Sequence, residues 1–379
     1  MRRRSLLLAI PAAGAAAYVA TRALMTPNVF GSTAGRLKLE TVAEGLDHPW
    51  SLAFLPTGEM LVTERVGRLR VVSAGGTLSE PVFGVLEVSA VGQGGLLDVV
   101  LHPDFDKTRL IFLSFAEPRE GGNGTSVMRG RLSEDLTRLD DVKVIFRQQP
   151  AHAGGNHFGS RLAFDRTGAL FVTTGDRLDL RALVQQTDNH IGKVIRITDD
   201  GGIPPGNPKP AGWLPELWSI GHRNLQGAAI HPDTGQLWTV EHGAKGGDEL
   251  NHPEPGRNYG WPVITYSREY SGEPIGEGIT AKEGMEQPVH YWIPSIAPSG
   301  MAFYTGDRYP RWKGHLFVGA LVLKHMARLV ITDGKVVEEE KLFDGYTRFR
   351  DVRQGPDGFL YVLTDEDAPM GRVMKVVMG

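Results

Sequence analysis

Apolar residues recur along this chain in short runs, each introduced by a turn signal, and that pattern repeats six times. The copies are PTGEMLVTE (56–64), HPDFDKTRLIFLSF (102–115), DRTGALFVTTGD (165–176), HPDTGQLWTVEHG (231–243), YPRWKGHLFVGAL (309–321) and GPDGFLYVLTDE (355–366). Anchored on Leu61, Ile111, Phe171, Leu237, Phe317 and Tyr361, they are spaced by 50, 60, 66, 80 and 44 residues. Five are followed by a second short strand of similar lettering: GRLRVV (67–72), MRGRL (128–132), GKVIRI (192–197), ARLVIT (327–332) and GRVMKVV (371–377). Proline, aspartate and glycine supply the turns, and β-branched and aromatic residues fill the strands. Helix-period stripes are scarce. Repeats of this length with several strands predict an all-β, six-bladed β-propeller of four-stranded antiparallel blades, whose closure leaves few exposed edges.

The fourth copy departs from the pattern. A Gly/Pro-rich insertion at about 243–262 stands where its second strand is expected, and loops on such a scaffold are where function is carried. One domain is expected over 36–379. Residues 26–35, and with them the polar stretch from 21, read as a linker. Ahead of that, Arg2–Arg4 precede an apolar run from Leu6 to Ala20, with Ala-Gly-Ala at 13–15. Met1–Met25 is therefore read as an export signal or an uncleaved N-terminal anchor, which places the protein in the periplasm. Arg3-Arg4-Ser5-Leu6-Leu7 weakly resembles a twin-arginine signal.

Composition removes several function classes. The chain has no cysteine, so disulfides, thiolate catalysis and cysteine-ligated metals are excluded. A net charge of −3 gives no electrostatic case for nucleic acid. GGNHFGSR (154–161) has the glycine spacing of a phosphate loop without its Lys-Ser/Thr. There is no dinucleotide fingerprint, zinc-protease motif or nucleophile elbow, so a redox function would need a non-Rossmann cofactor.

Polar clusters sit where strands end. His157 lies in a glycine-rich turn before Arg161–Phe164, and Arg223-Asn224 follow the strand Leu217–Ile220. Lys324 follows another strand, and Arg348 and Arg350 alternate so that both point to one side. Taken singly, each is an ordinary structural or solvated residue. Together the four cations come from three blades and could converge on one polyanionic ligand, since arginine forks bind carboxylates in pairs. The acidic, glycine-rich stretch Glu241–Glu249, ahead of Asn258-Tyr259-Gly260-Trp261-Pro262, offers carbonyl and carboxylate oxygens suited to calcium.

These residues carry a resemblance. GLDHPWSLAFLP (45–56), GQGGLLDVVLHPDF (92–105), HFGSRLAFD (157–165), GHRNLQG (221–227), EHGAKGGDELN (241–251), NYGWP (258–262), APSGMAFY (297–304) and TRFRDVRQGPDGFLYVLTDE (347–366) occur in order. The chain is similar through them to the soluble pyrroloquinoline quinone (PQQ)-dependent glucose/sorbosone dehydrogenases, closest to the aldose sugar dehydrogenase branch. The resemblance implies PQQ- and calcium-dependent oxidation of aldose sugars at C1 to the lactone, with an external electron acceptor. It makes His157 the general base and Asp176 its carboxylate partner. Gln93, Arg223, Asn224, Lys324, Arg348 and Arg350 become cofactor-binding positions, with Arg223 also stabilising developing charge. Gly243 and Ala244 become carbonyl ligands of calcium, Glu249 and Tyr259 ligands of a further calcium, and Trp292 an aromatic wall near the sugar. Ala244 stands where relatives often carry proline. Shorter inter-blade loops than in the glucose-specialised enzymes imply broader aldose acceptance, with the oligomeric state left at monomer or homodimer. The rival readings are a calcium-dependent lactonase, which has no use for the cation set, and a non-catalytic binding propeller, against which the presence of His157 and Asp176 argues.

Overall fold

The computed structural model describes residues 29–379. The export or anchor segment, and the first part of the linker, lie outside them. Six sheets follow one another along the chain and form the blades. Helix among the described residues is confined to one turn at Phe105–Thr108 and two short 3-10 segments. No described helix is long and apolar enough to cross a membrane.

Blades 2, 4 and 5 are four-stranded. Blade 1 keeps three regular strands, Pro49–Phe54, Met60–Glu64 and Arg68–Val72. Blade 3 gains Arg257–Asn258 as a parallel edge. Blade 6 is closed from the other end of the chain, because Gly35–Leu46 pairs antiparallel with Gly371–Met378. The described part of the expected linker is therefore not open chain. Phe30–Ser32 folds back on Gly35–Leu46 as a hairpin, and Phe30 packs edge-on against Phe343 and Tyr346. Blade 4 brings a second correction: the 243–262 insertion does contain a strand, Asp248–Asn251, paired with Leu237–Glu241. Its sequence hides it, since Leu250 is its one apolar residue and its other three side chains are polar.

The core is divided among the blade interfaces. One apolar cluster lies between each adjacent pair, from Leu61 and Leu113 between blades 1 and 2 round to Val62 and Leu363 between blades 6 and 1. Each sheet is thus covered on both faces, which is why a strand such as Leu170–Thr174 is buried at every position rather than at alternate ones. Around the axis, the innermost strand of every blade has a register break near its start, at Pro49/Ser51, Leu96/Val99, Gly159/Leu162, Leu225/Gly227, Pro298/Met301 and Phe349/Asp351. Such bulges re-aim side chains, and here they gather polar groups at one end of the ring. Below them, Arg161 bridges Asp98 and Asp351 at 3.1 Å each, and Arg353 reaches the same two carboxylates. Arg161 also lies 4.1 Å from the centre of the Trp50 ring. This buried ion-pair cluster joins blades 1, 2, 3 and 6 and forms the floor on which the polar end of the axis rests.

Candidate active site

Inner strands begin, and the strands beside them end, on the same face of the ring, so the residues flanking those ends meet. His157 precedes Gly159–Phe164, and Asp176 follows its neighbour Leu170–Thr174. His157 Nδ1 is 2.6 Å from Asp176 Oδ1, with both side chains buried. A carboxylate oxygen accepts, so Nδ1 carries the hydrogen and Nε2 is left as the basic nitrogen. Burial pulls the imidazole below its ordinary value, Asp176 pushes it back up, and Arg223 and Arg177 pull it down again. His157 is therefore held neutral and ready to accept a proton. Asp176 is held anionic against its own burial by His157, Arg223 and the Leu178 N–H. Its other oxygen accepts from the Trp261 indole at 2.9 Å. The backbone N–H of His157 donates to Gln93 Oε1 at 2.9 Å, so Gln93 ties the turn to blade 2.

Arg223 and Asn224 precede the inner strand of blade 4. Asn224 Oδ1 accepts from Gly159 N–H, on the other side of the blade boundary. Arg223 Nη1 donates to the carbonyls of His242 and Gly243, and its guanidinium lies 5.3 Å from the centre of the Trp261 ring. Arg350 Nη1 donates to Gln226 Oε1 at 2.8 Å, and Arg348 and Arg350 converge on Asp365. Asp365 is consequently held far below the usual carboxylate range, and burial alone would have raised it. Arg348, Arg350, Asp365 and Gln226 line a cavity of roughly 210 Å³ together with Trp50, Arg65, Gln93 and His242, while Arg223 lines the recess beside it. Burial pushes His242 down to about 3, helped by Arg223, so it faces the cavity uncharged. The larger groove at Arg109, Arg131 and Arg138 has its cations paired with Glu134, Asp141 and Asp140.

Beside the cavity, Arg223, Glu241, Gly243, Glu249 and Trp261 line a tighter recess. Asn251 Nδ2 donates to both Glu241 and Glu249. Burial and the neighbouring Glu241 push Glu249 up to about 8. Tyr259 sends its hydroxyl to the His252 carbonyl at 2.5 Å and stacks on His222, so only its main-chain oxygen could serve as a ligand. Two expected residues stand apart. Lys324 sits exposed at the turn after Leu316–Ala320, two residues beyond the cavity-lining Val322. Trp292 does not wall the cavity: it is buried between blades 4 and 5, and its indole donates to Glu339. The aromatic residue joined to the His–Asp pair is Trp261, within the NYGWP segment, whose indole direction no sequence signal gives.

The family model for glucose/sorbosone dehydrogenase matches residues 46–375, nearly the whole described chain. The chain belongs to the glucose/sorbosone dehydrogenase family. Its sequence is 49% identical over 348 residues to aldose sugar dehydrogenase YliI of Escherichia coli K12, covering 90% of this chain and 92% of that one. The crystal structure of the soluble aldose sugar dehydrogenase from Escherichia coli in its apo-form superposes with a TM-score of 0.86 at 48% identity, over 90% of this chain and all of that one. The PQQ-bound form of an aldose sugar dehydrogenase from Streptomyces coelicolor superposes at 0.74 with 29% identity, over 90% of this chain and 98% of that one. As a glucose/sorbosone dehydrogenase family member the protein is an oxidoreductase of the sugar dehydrogenase type, and the cavity just described lies inside the matched span.

Proposed function

We propose that the chain oxidises aldose sugars at C1 to the lactone, with PQQ and calcium as cofactors and an external electron acceptor. The observation that carries this reading is a set of unsatisfied buried donors at the inner strands of blades 4 and 6. Arg223 Nε, Asn224 Nδ2 and Arg350 Nε are buried and have no hydrogen-bond partner among the described residues. Buried donors left unmade cost about 1–3 kcal/mol each, so three together fit a ligand rich in acceptor oxygens, as a quinone tricarboxylate is. Arg348 and Arg350 would hold carboxylates, with Lys324 at the rim, while Arg223, Asn224 and Gln93 would hold the quinone end. For the calcium beside the cofactor the donors would be the Gly243 and Ala244 carbonyls, and for a further calcium the Glu249 carboxylate, all of them oxygen. The crowding of Glu249 against Glu241 fits that further cation between them, with the carbonyl of Tyr259 as its other protein ligand.

Bound there, PQQ would supply the carbonyl carbon that accepts hydride from C1. The chain's own part is proton transfer and positioning. His157 Nε2 takes the C1 hydroxyl proton, and Asp176 stabilises the imidazolium that forms. Arg223 would stabilise negative charge developing beside it. Export to the periplasm, by signal or anchor, is the setting proposed for this activity. The test is dye-linked oxidation of an aldose panel by purified apo-protein, with PQQ and calcium added separately and together and an EDTA control. Activity requiring both supports the reading. No turnover, and no change in absorbance or melting temperature on adding PQQ, refutes it and shifts the weight to a lactonase or a binding propeller.

A further inference from the structure

Arg177 follows Asp176 in the chain and is fully buried, yet no carboxylate among the described residues pairs with it. Its guanidinium is spent on one short segment and its support. Nε donates to the Asn156 carbonyl at 2.9 Å, and Nη2 donates to the Gly154 carbonyl. Nη1 and Nη2 also take the carbonyl and side-chain oxygens of Asn123 at 3.1 and 2.7 Å. Its plane lies 4.0 Å from the centre of the Phe158 ring. Asn156 and Phe158 are the two neighbours of His157. The segment needs such a grip, because His157 has a φ of 49° and Arg177 one of 56°. For residues with a Cβ that left-handed conformation costs about 1–2 kcal/mol each and persists only where surroundings enforce it.

We infer that Arg177 is the positioning residue of His157: by holding both of its flanks it fixes the aim of the imidazole against Asp176. The inference rests on the reading of His157 as the base. The charged and titratable groups facing His157 are Asp176, Arg177, Arg223 and His242. Arg177 thus has a second effect, since its unpaired charge opposes protonation of the ring it aims.

The two effects separate in R177K, which keeps the charge and loses the planar fork, and R177Q, which loses both. Two readouts are needed: kcat and KM for the sugar after reconstitution with PQQ and calcium, and an NMR titration of the His157 ring in the apo-protein, assigned with H157Q. Misplacement of a reacting group by about 1 Å can cost 10²-fold. R177K is expected to lose roughly 10- to 100-fold in kcat with KM nearly unchanged and the His157 titration near its wild-type position. R177Q should show a similar kcat loss, with the His157 midpoint moved upward. Wild-type kcat in R177Q, or a kcat loss in it with the titration unmoved, overturns the inference. Should R177Q not fold, Phe158→Leu removes the ring beneath the guanidinium and leaves its charge. It is expected to lower kcat at constant KM, and an unchanged kcat counts against the bracket. If the wild-type protein oxidises no aldose at all, the proposed function fails, while the apo-protein titration still decides whether Arg177 governs His157.

Discussion

Replacing Asp176 by Asn tests the site at its most constrained point. The carboxylate is 1% exposed and receives three N–H groups: His157 Nδ1 and the Leu178 amide on Oδ1, and the Trp261 indole on Oδ2. An amide of the same shape cannot accept all three. With its oxygen toward His157 and Leu178, its NH₂ meets the Trp261 N–H. Turned over, its NH₂ meets the Leu178 N–H and forces His157 to place its hydrogen on Nε2, which abolishes the base. Either arrangement leaves a buried donor unmade, at about 1–3 kcal/mol. Both also lose the charge that stabilises the imidazolium, worth about 1.5–3 kcal/mol for a charged hydrogen bond. The lost charge alone corresponds to about 10- to 100-fold and loss of the base to about 10²–10⁴, so kcat for D176N should fall by about 10-fold at least and about 10⁴-fold at most, with KM for the sugar little changed. Because Asp176 raises the His157 pKa, the acid limb of kcat/KM should move to lower pH even as the rate falls. The geometry adds a sharper requirement. Trp261→Phe removes the donor that opposes the first arrangement, so in the D176N background it should restore part of the lost kcat, although alone it lowers kcat. Dye-linked steady-state kinetics on the four proteins of this cycle would decide it. A D176N enzyme within a few-fold of wild type, or an acid limb moved upward, would refute the reasoning.

Asp365 neutralises Arg348 and Arg350 in the cavity, so Asp365→Asn should tighten PQQ binding to the apo-protein by several-fold to about tenfold, measured by fluorescence titration. Weaker binding would mean that Asp365 organises the arginines instead. Glu249 is raised from 4.5 to about 8 in the folded state, so the native protein retains a proton that the unfolded chain has lost. Stability without calcium should therefore fall as pH rises from about 4.5 to 8. Glu249→Gln should flatten that slope, raise the calcium-free Tm at pH 8 and reduce the Tm gain on adding calcium, and an unaltered slope would count against the assignment. On the axis, Arg161→Met leaves Asp98 and Asp351 buried with only the part-exposed Arg353. A broken buried pair costs about 3–5 kcal/mol, seen as a lower denaturant midpoint, and adding Asp98→Asn should recover part of it.

The ring was legible before any coordinates because each blade states itself locally. A turn followed by a short, buried and largely apolar strand needs only neighbouring residues to specify it, and six such statements leave few other closed arrangements. What failed locally was the strand Asp248–Asn251, which carries one apolar residue and no alternation to reveal it. The hairpin at Phe30 was missed for a related reason, since its packing partners Phe343 and Tyr346 lie more than 300 positions away.

For the site, the sequence by itself determined the chemistry on offer: a histidine and an aspartate 19 positions apart, cations from several blades, an oxygen-rich loop and no thiol. Only the tertiary structure decided what those groups do. Arg348 and Arg350 converge on Asp365, Trp261 reaches Asp176, Trp292 packs between blades 4 and 5, Lys324 stays at the rim, and Arg177 turns back on the flanks of His157. The physical reason is range. Strand and turn preferences act between neighbours in the chain, whereas the aim of a side chain at the axis depends on bulges and partners contributed by other blades, and on burial that exists only once the ring has closed.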